Sequence, residues 1–208
     1  MESIKAIVLD FGNVIINIDP ELTVKQMSVL SGKSHEAVKK LLQESELFRR
    51  YETGLFNDED FREIVRQTLG FPFSDREVDH AWNALLLDVP PERISLLLDL
   101  RAKYPLYLLS NTNHIHIAKC NTYFREHFGI ASVDTLFDKA FLSYEMGMWK
   151  PDKAIYLEVL SEIGVEPSEM LFVDDNLDNI TAAKELGIQA IHLTPDTDLV
   201  ELFKKLNL

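Results

Sequence analysis

The stretch Ile7-Val8-Leu9-Asp10-Phe11-Gly12-Asn13-Val14-Ile15-Ile16 decides the architecture. Ala6 to Leu9 form an apolar run of the kind found in short strands buried on both faces of a parallel sheet. The run ends on a carboxylate, and Gly12, two residues on, lets the backbone turn sharply. A carboxylate at the C-terminal tip of a parallel strand points into the crevice where open α/β sheets bind their ligands. An aspartate after a strand also serves as a turn former or helix N-cap, so the other strand ends must be read alongside it.

Downstream the pattern alternates. Strands are expected at Leu106–Leu109, Lys139–Leu142, Met170–Val173 and Ile188–Leu193, and helices at 92–103, 113–128, 151–163, 177–186 and 196–206. Strand and helix alternate without hairpin turns, which implies right-handed crossovers and a parallel sheet covered on both faces. Between the first strand and this region the text is helical only. Asp19-Pro20-Glu21, Ser34-His35-Glu36, Asn57-Asp58-Glu59-Asp60 and Ser74-Asp75-Arg76-Glu77 read as capped helix starts, with Gly32, Gly54 and Gly70 closing preceding helices. The expected fold class is α/β. A Rossmann-like three-layer core comprises residues 1–16 and 88–208, and residues 17–87 form an inserted cap subdomain of about four helices.

The chain has 208 residues, 46% hydrophobic and 26% charged, enough for a proper core. Its formal charge of −13 repels nucleic acid and anionic membrane on average, so neither is expected as a partner. An anionic substrate would have to be attracted locally, by a metal ion, a lysine or helix N-termini. The single cysteine, Cys120, reads as a small buried residue. The start lacks the features of a signal peptide, and no apolar run reaches the roughly 20 residues needed to span a bilayer. A cytoplasmic protein is expected, with monomer and dimer both open.

The strand tips carry the chemistry. Asp10 ends the first strand, Ser110-Asn111-Thr112-Asn113 the second and Asp174-Asp175-Asn176 the fourth, all on one edge of a parallel sheet. Three aspartates there suit a hard divalent ion such as Mg²⁺, which takes oxygen ligands and commonly keeps waters and a substrate phosphate. Ser110 and Asn111 offer hydroxyl, amide and backbone N–H donors to an anion. Lys150, ahead of Pro151, supplies a cation that can hold a carboxylate and a phosphate together.

In order and in residues, these motifs resemble the haloacid dehalogenase-like hydrolase superfamily over the entire chain. They stand as Asp10-Phe11-Gly12-Asn13-Val14, Leu109-Ser110-Asn111, Lys150-Pro151-Asp152 and Val173-Asp174-Asp175-Asn176. The helical insert after the first strand resembles the family's type 1 cap. Tyr144-Glu145-Met146-Gly147 and the run from Asp174 to Ala183 look most like bacterial sugar-phosphate phosphatases of the α-glucose-1-phosphatase type. The resemblance implies that Asp10 is a nucleophile forming an aspartyl-phosphate and also a Mg²⁺ ligand, and that the carbonyl of Gly12 and Asp175 are further ligands. Asp174 is then a ligand or a group behind one, Ser110 and Asn111 hold phosphoryl oxygens, and Lys150 offsets the crowded negative charge.

One position departs from the family pattern. The second acid of the first motif, which protonates the leaving group and activates water, is replaced by Gly12. General acid–base help is typically worth about 10²–10⁴-fold. The expected activity is therefore Mg²⁺-dependent hydrolysis of a small phosphorylated metabolite, a sugar phosphate and in particular a sugar 1-phosphate, whose leaving group is comparatively acidic. Two alternatives stand beside it: a metal-free 2-haloacid dehalogenase, and a member that binds a phosphorylated ligand or a partner protein without turnover. Arg49 and Arg50 read as solvated, His114 and His116 as facing different sides of their helix, and His127 and His192 as surface or packing residues. Trp149 reads as pocket mouth or core, Asp152 and Asp178 as helix caps or supports for Lys150, and Asp138 as solvated.

Overall fold

The computed structural model describes residues 4–44 and 46–208. Five parallel strands, β1 (Ala6–Leu9), β2 (Leu106–Ser110), β3 (Lys139–Leu142), β4 (Met170–Asp174) and β5 (Gln189–His192), form one sheet in the order β3-β2-β1-β4-β5. β1 lies at the centre, with Leu9 paired to Leu108 on one side and to Val173 on the other. The order reverses about β1, and at such a switch point strand tips flank an open crevice.

The sheet is covered on both faces, and the two-residue period of the strands assigns each side chain to a layer. Ile7, Leu9, Leu106, Leu108, Leu171 and Val173 pack in the cluster built by α6 (Pro91–Arg101), α7 (His114–Phe128) and α11 (Leu199–Leu206). Val8, Leu109, Met170 and Phe172 pack on the other side with α9 (Lys153–Ile163) and α10 (Leu177–Glu185). Continuous apolar runs are what a sheet sandwiched in this way requires.

Between β1 and β2 lies a helical insert with a hydrophobic cluster of its own. It contains α1 (Pro20–Ser31), α2 (His35–Glu44), α3 (Leu47–Glu52), α4 (Asp58–Leu69) and α5 (Asp75–Trp82), five helices among the described residues where the sequence suggests about four. Caps mark most of them: the Asp19 side chain accepts from Glu21 N–H, Asn57 from Asp60 N–H, and Ser74 with Glu77 forms a reciprocal capping box. Six-residue α3 has no such signal, because Glu46 precedes it in a left-handed conformation (φ 48°) without capping the helix. A further short helix, α8 (Ser143–Met146), follows β3 directly.

The segments leading into and out of the insert lie side by side. Asn17 N–H donates to Asp88 O, Leu87 N–H to Asn17 O and Asp19 N–H to Leu85 O, and Ile18 and Leu86 form an antiparallel bridge. Above this ribbon the insert leans on the core through Arg49–Asp152 (2.9 Å), His114–Asp58 (2.7 Å) and Trp82 Nε1 to Asn113 Oδ1 (3.2 Å). No helix among the described residues is long and apolar enough to cross a membrane.

Candidate active site

The chain after β1 folds back on itself at once. Ile15 and Ile16 N–H both donate to Phe11 O, Asn13 N–H donates to Ile16 O, and Asn13 adopts φ 52°. Asparagine tolerates this left-handed geometry better than most residues because its short amide bonds locally. Here Asn13 Oδ1 accepts from Ile18 N–H, while Nδ2 donates to Asp175 Oδ2 at 2.9 Å. Asn13 thus fixes a carboxylate that belongs to the tip of a different strand.

The strand tips bring together Asp10, Asp174 and Asp175, each with an oxygen within 4.8 Å of the others. Lys150, 2% exposed, donates from Nζ to Asp10 Oδ1 (2.6 Å), Asp174 Oδ2 (2.7 Å) and Leu109 O (2.9 Å). Burial pushes the Asp10 carboxyl up to about 7 in spite of Lys150, and the neighbouring Asp174 adds to the rise. Burial alone would lower the Lys150 pKa, but Asp10 and Asp174 outweigh it and the net shift is upward. Burial also raises Asp175. One ammonium faces three carboxylates, so the cluster retains a formal excess of two negative charges that a divalent cation would cancel.

The three aspartates are not equivalent. Asp174 is fully buried, and both its oxygens are taken: Oδ1 by Asn176 N–H and Asn179 Nδ2, and Oδ2 by Lys150 and Asn179 Nδ2. Asp175 is less buried and is held from one side by Asn13. Its carbonyl oxygen meets His192 Nε2 at 2.8 Å, so His192 is a support of the strand tip rather than an isolated packing residue.

Ser110 is buried, and its hydroxyl makes only a 3.5 Å contact with Asn111 O. The Asn111 side chain corrects the expectation of a free amide donor. Its Nδ2 donates to Lys150 O and its Oδ1 accepts from Lys150 N–H, both at 2.9 Å, so the amide fixes the lysine backbone and only its main-chain N–H remains for a ligand. Asp152 pairs with Arg49 rather than steadying Lys150. Asp138 is more than a solvated residue, since it accepts from Leu106 N–H at the start of β2 and pairs with Arg101. His114 pairs with Asp58 whereas His116 is buried, on different sides of α7 as expected.

Beside the carboxylates opens a cavity of about 460 Å³ between core and insert. Gly12, Ser110, Asn111 and Thr112 form its floor, and Trp149 closes one side. Apolar walls come from Ile18, Leu42, Phe48 and Trp82, and Glu52 and His116 are polar points on them. A Cβ at Gly12 would come within 2.8 Å of Ile18 Cδ1, so an isoleucine methyl occupies the space that a side chain at position 12 would need. Glu52 accepts from Trp149 Nε1 at 3.1 Å, and burial pushes its carboxyl up to about 7. His116 stacks on Trp82 with ring centroids 4.7 Å apart, and burial lowers its pKa to about 3, leaving it neutral. Asn13, Asn176, Asn179, Glu52 and His116 were not legible as site residues. Asn13, Glu52 and His116 have partners far off in sequence, whereas Asn176 and Asn179 bond to nearby Asp174 and gave the one signal, as the paired asparagines after Asp175.

Comparison with known proteins bears on this arrangement. A family model described as haloacid dehalogenase-like hydrolase matches residues 4–187. The chain is 32% identical to a D-ribitol-5-phosphate phosphatase of Bacteroides thetaiotaomicron, over 89% of this chain and 90% of the relative. It superposes on the crystal structure of a HAD family enzyme from the same organism with a TM-score of 0.89 and 36% identity, covering 97% of this chain and 99% of the other. A structure of that enzyme in complex with magnesium and inorganic phosphate gives a TM-score of 0.85 at 35% identity, covering 97% of this chain and 100% of the other.

Proposed function

The chain belongs to the haloacid dehalogenase-like hydrolases, and from that premise we propose that it is a Mg²⁺-dependent phosphatase of a small phosphorylated metabolite, a sugar or polyol phosphate. The observation that carries the reading is the cluster of Asp10, Asp174 and Asp175 around Lys150, whose near neighbours Gly12, Ser110 and Trp149 line a cavity large enough for a small alcohol. The donor set is all oxygen and carries excess negative charge, which fits Mg²⁺. Asp10 and Asp175, with the Gly12 carbonyl, would hold the ion. Asp174, with both oxygens engaged, serves by fixing Lys150. The ion supplies charge neutralisation at the phosphoryl oxygens.

The residues divide the remaining work. Asp10 is the nucleophile and takes the phosphoryl group on its carboxylate. The Ser110 hydroxyl and the Asn111 main-chain N–H bind phosphoryl oxygens, and Lys150 holds Asp10 in line while offsetting the charge that gathers there. The helical insert acts as a cap over the leaving group. A metal-free dehalogenase would leave Asp175, steered by Asn13 toward Asp10, without a task. The bare position 12, filled from the side by Ile18, places no acid next to the ester oxygen, which favours acidic leaving groups such as the anomeric oxygen of a sugar 1-phosphate.

The test is phosphate release from a panel of sugar, polyol and aryl phosphates with and without Mg²⁺. Turnover should need the ion, and Asp10→Asn should abolish it while leaving the fold intact. Trapping with beryllium fluoride and Mg²⁺ should put the phosphate mimic on Asp10, and a label on another residue would overturn the assignment.

A further inference from the structure

We infer that Glu52, carried by the helical insert, is the proton donor to the departing ester oxygen, the role that position 12 leaves vacant. The inference rests on the phosphatase reading and adds to it the source of the proton. Among the described residues, two carboxylates border the cavity. Glu21 is exposed and already engaged by Lys39 and His35. Glu52 is turned inward and held by the indole N–H of Trp149, whose neighbour in the chain is the Lys150 that grips Asp10. The acid and the nucleophile are thereby fixed to adjacent residues of one loop.

The surroundings of Glu52 leave the proton mobile. Trp149 donates to it from the core, and the charge of Lys150, the next residue in the chain, acts on it more weakly. His116 on α7 is neutral, Lys39 is occupied by Glu21, and Arg49 on the same helix lies over the Trp149 ring with its charge paired to Asp152. With no cation among the described residues paired to it, burial dominates and pushes the carboxyl up to about 7. An acid poised near working pH is the efficient case for proton transfer.

The step balances. An Asp10 oxygen bonds to phosphorus as the P–O ester bond breaks. The ester oxygen keeps the electron pair and takes the proton from Glu52, leaving as an alcohol. In the second half Glu52, now a carboxylate, accepts a proton from the water that attacks phosphorus. The Asp10–phosphorus bond breaks and inorganic phosphate leaves. This makes the preference for sugar 1-phosphates depend on pH: below about 7 the protonated acid also serves poor leaving groups, and above it only acidic ones depart readily.

The experiment compares kcat/KM for glycerol phosphate and p-nitrophenyl phosphate with Mg²⁺ above pH about 6.5, where the phosphates have passed their second ionisation near 6. In the wild type the glycerol-to-nitrophenyl ratio should fall as pH rises through about 7. Glu52→Gln should lose about 10²-fold more on glycerol phosphate than on the aryl ester, and its ratio should be flat with pH. Trp149→Phe removes a hydrogen bond that lowers the Glu52 pKa, so the fall should move to higher pH. A flat wild-type ratio, equal losses on both esters in Glu52→Gln, or a break that Trp149→Phe leaves in place would overturn the assignment to Glu52 with the phosphatase reading intact. Failure of both esters to release phosphate in the presence of Mg²⁺ would overturn both readings.

Discussion

Lys150 is buried and shared between Asp10 and Asp174, so its removal does two kinds of damage. A buried charge stripped of its partner is costly, typically about 3–5 kcal/mol. Lys150→Ala is therefore expected to lower stability in chemical denaturation by about that amount, and to reduce phosphate release by orders of magnitude even where the protein remains folded. Asn13 separates two other contributions. An alanine in its left-handed conformation costs about 1–2 kcal/mol, a cost glycine escapes, whereas either substitution removes the bond to Asp175. Asn13→Ala and Asn13→Gly should both raise the Mg²⁺ needed for half-maximal turnover by about 10–100-fold, as loss of a group orienting a ligand typically does. Only the alanine variant should show the added loss of stability. Equal melting behaviour in the two would remove the strain argument.

Among elements, α5 joins the insert to the core through one residue. Trp82 packs with Phe48 and Phe61 in the insert, stacks on His116 of α7 and donates to Asn113 Oδ1. Trp82→Ala is expected to cost about 3–5 kcal/mol, the range for emptying a core aromatic site. Trp82→Phe should recover most of that while leaving Asn113 Oδ1 with only its capping bond from His116 N–H, and denaturation midpoints would separate the two. Junctions of this sort were hidden in the sequence. The strands could be read because burial on both faces demands unbroken apolar runs, and Asp10, Ser110, Lys150 and the Asp174-Asp175 pair because strand ends share an edge. Most insert helices could be read from their caps, and α3 and α8 escaped because neither begins on a capping side chain. Glu52 and His116 escaped for a different reason. A carboxylate on a short helix and a histidine in a longer one look solvated until a separate cluster of helices closes over them.

At the scale of the whole molecule, a chain of net charge −13 must draw in an anionic substrate against its own field. Its one buried lysine at the strand tips, with the ion that the aspartates would hold, supplies the local attraction, so added salt should weaken long-range repulsion more than it weakens binding at the site. A rise in kcat/KM with moderate ionic strength would follow, and a steep fall would contradict it. The ribbon formed by Asn17–Asp19 and Leu85–Asp88 carries a second consequence. Its two sides are already joined like the stem of a hairpin, so the helical block is attached as a detachable fitting rather than threaded through the sheet. A chain in which a short turn joins Asp19 to Leu85 should keep the five-stranded sheet, readable as a retained far-UV signature, together with Asp10 and Lys150. Glu52 and most of the apolar walls would be gone, leaving a phosphate seat open to alcohols of any shape. Evolution, or an engineer, could change what this protein cleaves by exchanging the fitting and leaving the chemistry in place.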